Sequence, residues 1–251
     1  MQNVIVSFEP SPEHVDIIEK WLIKESKSSK PGFFVNWQNS VLISHSRGLM
    51  AVVLLNENPI GFITWYKEND RVAEIVITEI QPGFRKKGYG RIMVEALLTK
   101  LKNDAIYVVK LHCQPSTSEK AWKKLGFIQF PKIDGFHEYN SADGKHLYKI
   151  LCTSAELTTV DAGGEIIELW AAEPYEADRE QPLWTWQLMF EGDSRKLIRP
   201  IIFPAKRKWQ IRWTRNNSIV KQDGIKYFQK EEIDFSEFLI IEQLPLPNIS
   251  L

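Results

Sequence analysis

The sequence predicts an α/β domain whose sheet mixes strand directions, followed by a small all-β domain, either a barrel or a strongly bent sheet. Three observations lead there. From residue 1 to about 152, strand-like alternation and helix-like periodicity take turns. After residue 165 helical periodicity is nearly absent. Between them, residues 153–164 (TSAELTTVDAGG) are small, polar and glycine-containing, which suits a linker.

The elements follow in order. Val4 to Phe8 reads as a short strand, and Ser11-Pro12-Glu13 opens a helix whose apolar positions Val15, Ile18, Trp21 and Leu22 recur at helical spacing. A second short helix is expected within Val35 to Ser44. Met50 to Leu55 and Ile60 to Tyr66 form a hairpin around Asn56-Glu57-Asn58-Pro59, and the strand Val72 to Ile80 comes next. Ile92, Met93, Ala96, Leu97 and Leu101 trace the buried face of a helix from about Gly88 to Lys102. Ile106 to Cys113 is a strand, Ser116 to Leu125 a helix, and Phe127 to Phe130 and His146 to Leu151 close the domain. The order over 1–152 is β-α-α-β-β-β-α-β-α-β-β, a mixed sheet with helices on its faces. In 165–251 the expected strands are Glu165 to Trp170, Leu183 to Phe190, Lys196 to Phe203, Lys208 to Thr214, Ser218 to Gln222, Ile225 to Phe228 and Phe238 to Ile241.

The 32 basic and 32 acidic side chains cancel, but they are sorted along the chain. Residues 153–193 hold ten acids and one base, residues 195–230 eleven bases and one acid, and residues 231–251 five acids and no base. A balanced total with 25% of residues charged excludes a disordered chain and a protein that coats nucleic acid generally. Cys113 and Cys152 cannot make a disulfide framework, and with no Cys/His cluster no metal site is expected. No signal-peptide core and no apolar run of bilayer-spanning length is present, so a soluble cytoplasmic protein without membrane contact is expected.

One segment carries chemistry. Gln81-Pro82-Gly83-Phe84-Arg85-Lys86-Lys87-Gly88-Tyr89-Gly90-Arg91 lies between a strand and a helix. Its glycines let successive N–H groups converge on an anion, the helix N-terminus adds positive potential, and Arg85, Lys86, Lys87 and Arg91 surround it with charge. It is not a P-loop, because no Gly-Lys-Ser/Thr follows, and it lacks the third glycine of the dinucleotide fingerprint.

Arg85-x-x-Gly88-x-Gly90, after a strand ending at Ile80, resembles the pyrophosphate loop of the GNAT acyltransferase superfamily. Lys123-Lys124-Leu125-Gly126-Phe127 and the element order of residues 1–152 resemble that family too; nothing in 153–251 does. The resemblance implies an N-acetyltransferase using acetyl-CoA and an amine acceptor. Strands Val72 to Ile80 and Ile106 to Cys113 would splay to admit the pantetheine. Backbone near Ile80 would pair with the pantetheine amides, while Lys86, Lys87, Gly88, Tyr89, Gly90 and Arg91 would hold the pyrophosphate. The amine would attack the thioester directly, with a base taking its proton. Glu74, eleven residues before Arg85, matches the general-base glutamate of the histone-acetylating branch, and Glu79 is the reserve. Glu79 would face the other way on a regular strand, but a bulge, usual in the family, breaks that parity.

The sequence departs from the family at Trp122, where many members have a tyrosine that protonates the leaving thiolate, and at Pro115, where an asparagine is frequent. An indole cannot give up that proton. This motivates an alternative reading, a CoA-binding or interaction protein with weak or no turnover. His112 and Lys110 share a strand face and could border the cleft, and Phe33, Phe34 and Trp37 could wall the acceptor site or simply pack the core.

In the second domain Trp184, Trp186, Leu188 and Phe190 fall on one strand face and Trp209, Ile211 and Trp213 on another, first of all a core signal. The bases of 195–230 could form an RNA-binding face that delivers an RNA-linked or protein-linked amine, or a solvated face paired with the flanking acids. The sorting of charge favours the second.

Overall fold

The computed structural model describes residues 3–28, 37–133, 135–136, 138–140, 144–158, 164–177, 181–228 and 232–246. Two compact units result: Met1–Gln129 with Ala142–Leu151, and Phe130–Ser141 with Cys152–Leu251. The division is therefore not a single cut in the chain. The short segment between two strands of the first unit belongs with the second.

The first unit contains β1 (Val4–Ser7), α1 (Pro12–Ser28), α2 (Ile43–Ser46), β2 (Met50–Leu55), β3 (Asn58–Lys67), β4 (Val72–Ile80), α3 (Tyr89–Asn103), β5 (Val108–Cys113), α4 (Glu119–Lys124), β6 (Ile128–Gln129) and β7 (Lys145–Ile150). These form one seven-stranded sheet in the order β1-β2-β3-β4-β5-β7-β6. Among the described residues only β4 and β5 pair in parallel, because α3 carries the chain back across the sheet between them. The N-terminus of α1 is closed reciprocally: the Ser11 hydroxyl accepts from the His14 N–H at 3.4 Å, and His14 Nδ1 accepts from the Ser11 N–H at 3.2 Å. The β2–β3 turn places Asn56 at φ 48° and Glu57 at φ 69°, two left-handed residues that match the twist of a tight hairpin.

Alternation along the central strands supplies two cores. Ile63, Trp65, Ala73 and Ile75 pack with Met93, Leu97 and Leu101 of α3. Phe62, Val52 and Ile77 pack on the other face with Ile18, Trp21 and Leu22 of α1. The short helix expected within 35–44 is a wide π-type turn, Trp37–Leu42, running into α2.

The second unit holds β8 (Glu165–Leu169), α5 (Pro174–Ala177), β9 (Trp184–Gln187), β10 (Lys196–Pro204), β11 (Gln210–Arg215), β12 (Ser218–Gly224), β13 (Asp234–Phe235) and β14 (Phe238–Gln243). They make a four-stranded sheet, β12-β11-β8-β9, and a three-stranded one, β10-β14-β13. Among the described residues these are two open sheets and no barrel closes, so the all-β character expected holds while the barrel form does not. Ile225 to Phe228 is not a strand: Ile225–Tyr227 forms a single 3-10 turn, closed by the Phe228 N–H on the Ile225 carbonyl. Trp170, Trp186, Trp209 and Trp213 are buried. Phe130, Phe136 and Tyr139 from the inserted segment join this core, with the Phe136 ring edge-on to Trp209 at 5.5 Å and Phe130 5.6 Å from Phe238. Among the described residues, no helix is long and apolar enough to cross a membrane.

Candidate functional site

The site begins with a strand pair that stops early. β4 and β5 are in register from Val72↔Val108 to Ile75↔Leu111, and no further. β4 nevertheless continues beside β3 as far as Gly61↔Ile80. Val76 to Ile80 thus have a ladder on one side and no strand on the other; at Ile80 the N–H and C=O are taken by Glu79 and Arg85, and the backbone before it is left facing the gap. At the start of that gap the register with β3 shifts, from Trp65↔Ile75 to Thr64↔Ile77, so Val76 is an extra residue in β4. The Thr64 and Thr78 hydroxyls flanking this bulge are buried without hydrogen-bond partners among the described residues.

Beyond Ile80 the chain makes a turn at Pro82–Phe84 and then alternates handedness, with Arg85 extended, Lys86 at φ 62° and Gly88 at φ 90° capping α3. From Lys86 to Arg91 no backbone N–H finds an acceptor among the described residues; the first to do so is Ile92, on the Gly88 carbonyl at 3.1 Å. This is an anion-binding nest at a helix N-terminus. Gly88 is required by its left-handed φ, since a Cβ there would meet nothing within 4 Å. Gly90 needs no space for internal packing either, its nearest neighbour being Ile80 Cγ1 at 3.6 Å, so its missing side chain leaves the nest open.

The charges around the nest differ in availability. Lys86 and Lys87 are exposed and carry no ion pair among the described residues, although Lys87 lies over the Phe84 ring at 5.4 Å. Arg91 forms an exposed pair with Glu95 at 2.8 Å. Arg85 turns away from the nest. Its Nε donates to the Ile80 carbonyl at 2.7 Å, and its Nη2 donates to Glu79 and to Glu25 of α1, each at 2.7 Å.

The bulge brings both carboxylates to one face of the sheet, Glu74 opposite Tyr66 and Glu79 opposite Phe62. Glu74 accepts from the Tyr66 hydroxyl at 2.7 Å and lies 3.4 Å from Lys110, which also binds Glu68 at 2.8 Å. Burial and then this bond push the Tyr66 hydroxyl up to about 12. Burial also pushes the Glu79 carboxyl above the usual range, an effect Arg85 only partly offsets. Glu79 Oε1 takes both Arg85 and the Ile80 N–H, while no donor among the described residues reaches Oε2.

Trp122 stands edge-on to Phe127 at 5.3 Å and packs on the first core. His112 stacks on His146 at 4.7 Å rather than on the β4 edge. Phe33 and Phe34 lie outside the described residues, as does the Trp37 side chain. In the second unit the basic segment is largely paired. Arg195 grips Glu165 through two bonds of 2.8 and 2.7 Å, Arg212 grips Glu168 at 2.6 and 2.9 Å, and Lys208 meets Glu173 at 3.3 Å. Four of its five tryptophans are buried, and half-buried Trp184 stacks on Trp209 at 5.7 Å, so they do not form an exposed stacking surface. A cavity of about 240 Å³ between Leu157, Met189 and Arg199 lies in this unit.

Glu25 and Tyr66 were not visible as site residues in the sequence. The Tyr66–Glu74 pairing follows from hairpin register, a signal that alternation contains; the approach of Glu25 to Arg85 across 60 residues has no local signature.

The sequence profile of the acetyltransferase (GNAT) family matches residues 13–127. No functionally curated protein matches the chain. Among solved structures, Ard1 from Thermoplasma volcanium aligns at 18% identity and TM-score 0.47, over 59% of this chain and 98% of that one. The PaiA N-acetyltransferase from Thermoplasma acidophilum, in complex with coenzyme A, aligns at 16% identity and TM-score 0.46, over 59% of this chain and 99% of that one. A GNAT-family acetyltransferase from Staphylococcus aureus Mu50 aligns at 11% identity and TM-score 0.48, over 60% and 100%.

Proposed function

Residues 13–127 carry a domain of the acetyltransferase (GNAT) family, and on that premise we propose that the chain transfers an acetyl group from acetyl-CoA to the nitrogen of an amine. The observation that carries this reading is the early end of the β4–β5 ladder directly below a nest of unpaired N–H groups. A pantetheine arm can pair with an open strand edge as another strand would, while its pyrophosphate sits on the α3 N-terminus. The acceptor is an amine of unidentified structure.

In the reaction the neutral amine attacks the thioester carbon, the C–N bond forms, and the C–S bond breaks to release CoA thiolate. The amine proton passes to a carboxylate, directly or through water. Glu74 and Glu79 both face the bulge side from which an amine would approach. Glu79 has the stronger support. Burial raises its carboxyl above the ordinary range and no donor among the described residues reaches its Oε2, whereas Glu74 already serves Tyr66 and Lys110. Trp122 cannot protonate the thiolate, which leaves at its ordinary pKa and takes its proton from water. A CoA-binding protein without turnover is the second reading, favoured by that tryptophan alone.

Calorimetry with acetyl-CoA and with CoA tests the proposal. Both bind the wild type, and Gly88→Asp abolishes binding by placing a carboxylate in the nest at a left-handed position. A folded wild-type sample that binds neither overturns it.

A further inference from the structure

We infer that Arg85 is a positioning residue that holds the end of β4 in shape for the pantetheine, and not a ligand of the pyrophosphate. The inference rests on the acyl-CoA reading above. Arg85 is the basic residue that opens the loop motif, yet its hydrogen bonds run to the strand and to α1. Three contacts of 2.7 Å leave the guanidinium bound to two carboxylates and a carbonyl. Both carboxylates are mostly buried, with side-chain exposures of 20% for Glu25 and 15% for Glu79. Swinging Arg85 into the nest would break both ion pairs and the bond to the Ile80 carbonyl, a loss that one exposed phosphate contact does not offset.

The other half of the argument is what these contacts fix. Glu79 Oε1 receives the Ile80 N–H as well as Arg85, and Arg85 returns to the Ile80 carbonyl. Guanidinium, carboxylate and the N–H and C=O of Ile80 therefore close a ring on the last residue of β4. From the β3 side the same residue is crowded by Gly61, where a Cβ would lie 2.3 Å from Ile80 Cδ1 and 2.8 Å from the Glu79 carbonyl oxygen. The strand end is held by the Arg85–Glu79 ring on one side and packs closely over Gly61 of β3 on the other. Lys86 and Lys87 remain for the phosphates, exposed and free of carboxylates among the described residues.

The test compares acetyl-CoA with S-acetylpantetheine, which lacks the pyrophosphate, by displacement of a labelled acetyl-CoA. A clamp predicts that Arg85→Gln weakens both by a similar factor, roughly tenfold, as expected for losing charge-assisted hydrogen bonds. It also predicts an unchanged salt dependence for acetyl-CoA, whereas Lys86→Gln with Lys87→Gln weakens acetyl-CoA alone and flattens its salt dependence. Because protonating Glu79 loosens the ring, S-acetylpantetheine affinity of the wild type declines as the pH falls through the Glu79 carboxyl, and Arg85→Gln loses that dependence. Glu25→Gln, which removes one partner and keeps the ring on Ile80, shows a smaller loss of the same kind and guards against a misfolded Arg85 variant. Arg85→Gln that weakens acetyl-CoA selectively, with a shallower salt dependence, makes Arg85 a phosphate ligand and overturns the inference while leaving the acyl-CoA reading intact. A wild type that binds neither probe overturns both.

Discussion

Glu74 and Glu79, five residues apart on β4, face the same side of the sheet because Val76 is an extra residue between them. A regular strand would place them on opposite faces. The bulge sits where β4 parts from β5, so the strand leaves its partner and turns both carboxylates to one face.

Replacing each carboxylate separates their roles. With CoA thiol release followed over a panel of primary amines, Glu79→Gln lowers turnover by about 10²- to 10⁴-fold, the range of a lost general base, and, because it opens the ring with Arg85, weakens acetyl-CoA by no more than the roughly tenfold expected for Arg85→Gln. Glu74→Gln has the smaller effect on turnover. The reverse order would make Glu74 the base and Glu79 a partner of Arg85 only.

The Gly61→Ala variant probes the crowded end of β4. Its methyl group would press on the Glu79 carbonyl, which is backbone and cannot step aside. Urea unfolding should show a loss of about 1 to 3 kcal/mol, typical of overpacking. Weaker acetyl-CoA binding should accompany it.

Two glutamates give stability opposite slopes in pH. The Glu79 carboxyl is raised by burial, so the folded protein holds that proton to higher pH than the unfolded chain. Its contribution is full below the ordinary glutamate value and is lost as the pH rises through the raised one. For Glu165 burial alone would raise the carboxyl, but hydrogen bonds from Arg195 and Trp213 outweigh it and hold the group low. That contribution is present above the ordinary value and disappears as the pH falls through the lowered one. Denaturant titrations across the acid range should show each slope vanish in Glu79→Gln and Glu165→Gln respectively. Arg195→Met leaves Glu165 without its main partner and should cost about 3 kcal/mol.

A fragment comprising residues 165–251 should not fold. It lacks Phe130, Phe136 and Tyr139, three buried rings of the second unit's core. Circular dichroism and tryptophan emission of the fragment should resemble an unfolded chain. In the full chain Phe136→Ala should cost about 3 to 5 kcal/mol, in the range of large core truncations. A fragment that unfolds cooperatively would contradict this.

The full chain should bind single-stranded RNA weakly or not at all at moderate salt. Arg195, Arg212 and Lys208 already have carboxylate partners, and breaking those pairs opposes phosphate contacts. Filter binding across a salt series would reveal steep, tight binding if the basic segment were a nucleic-acid surface.

The sequence by itself determined the elements of the first unit, because apolar spacing of 2 or 3.6 residues dictates which face each segment must bury. It also located the loop from Arg85 to Arg91, since glycine positions and helix entry are written locally. Charge sorting in 153–251 already implied that its bases meet its acids, as Arg212 and Glu168 do. Only the tertiary structure decided where β4 and β5 separate, that Val76 bulges, and that Arg85 faces Glu25 and Glu79 instead of the nest. It also decided that Phe130 and Phe136 serve the second core. Register, bulges and partners distant in sequence depend on energies summed over neighbouring strands and helices, and no local pattern encodes that sum.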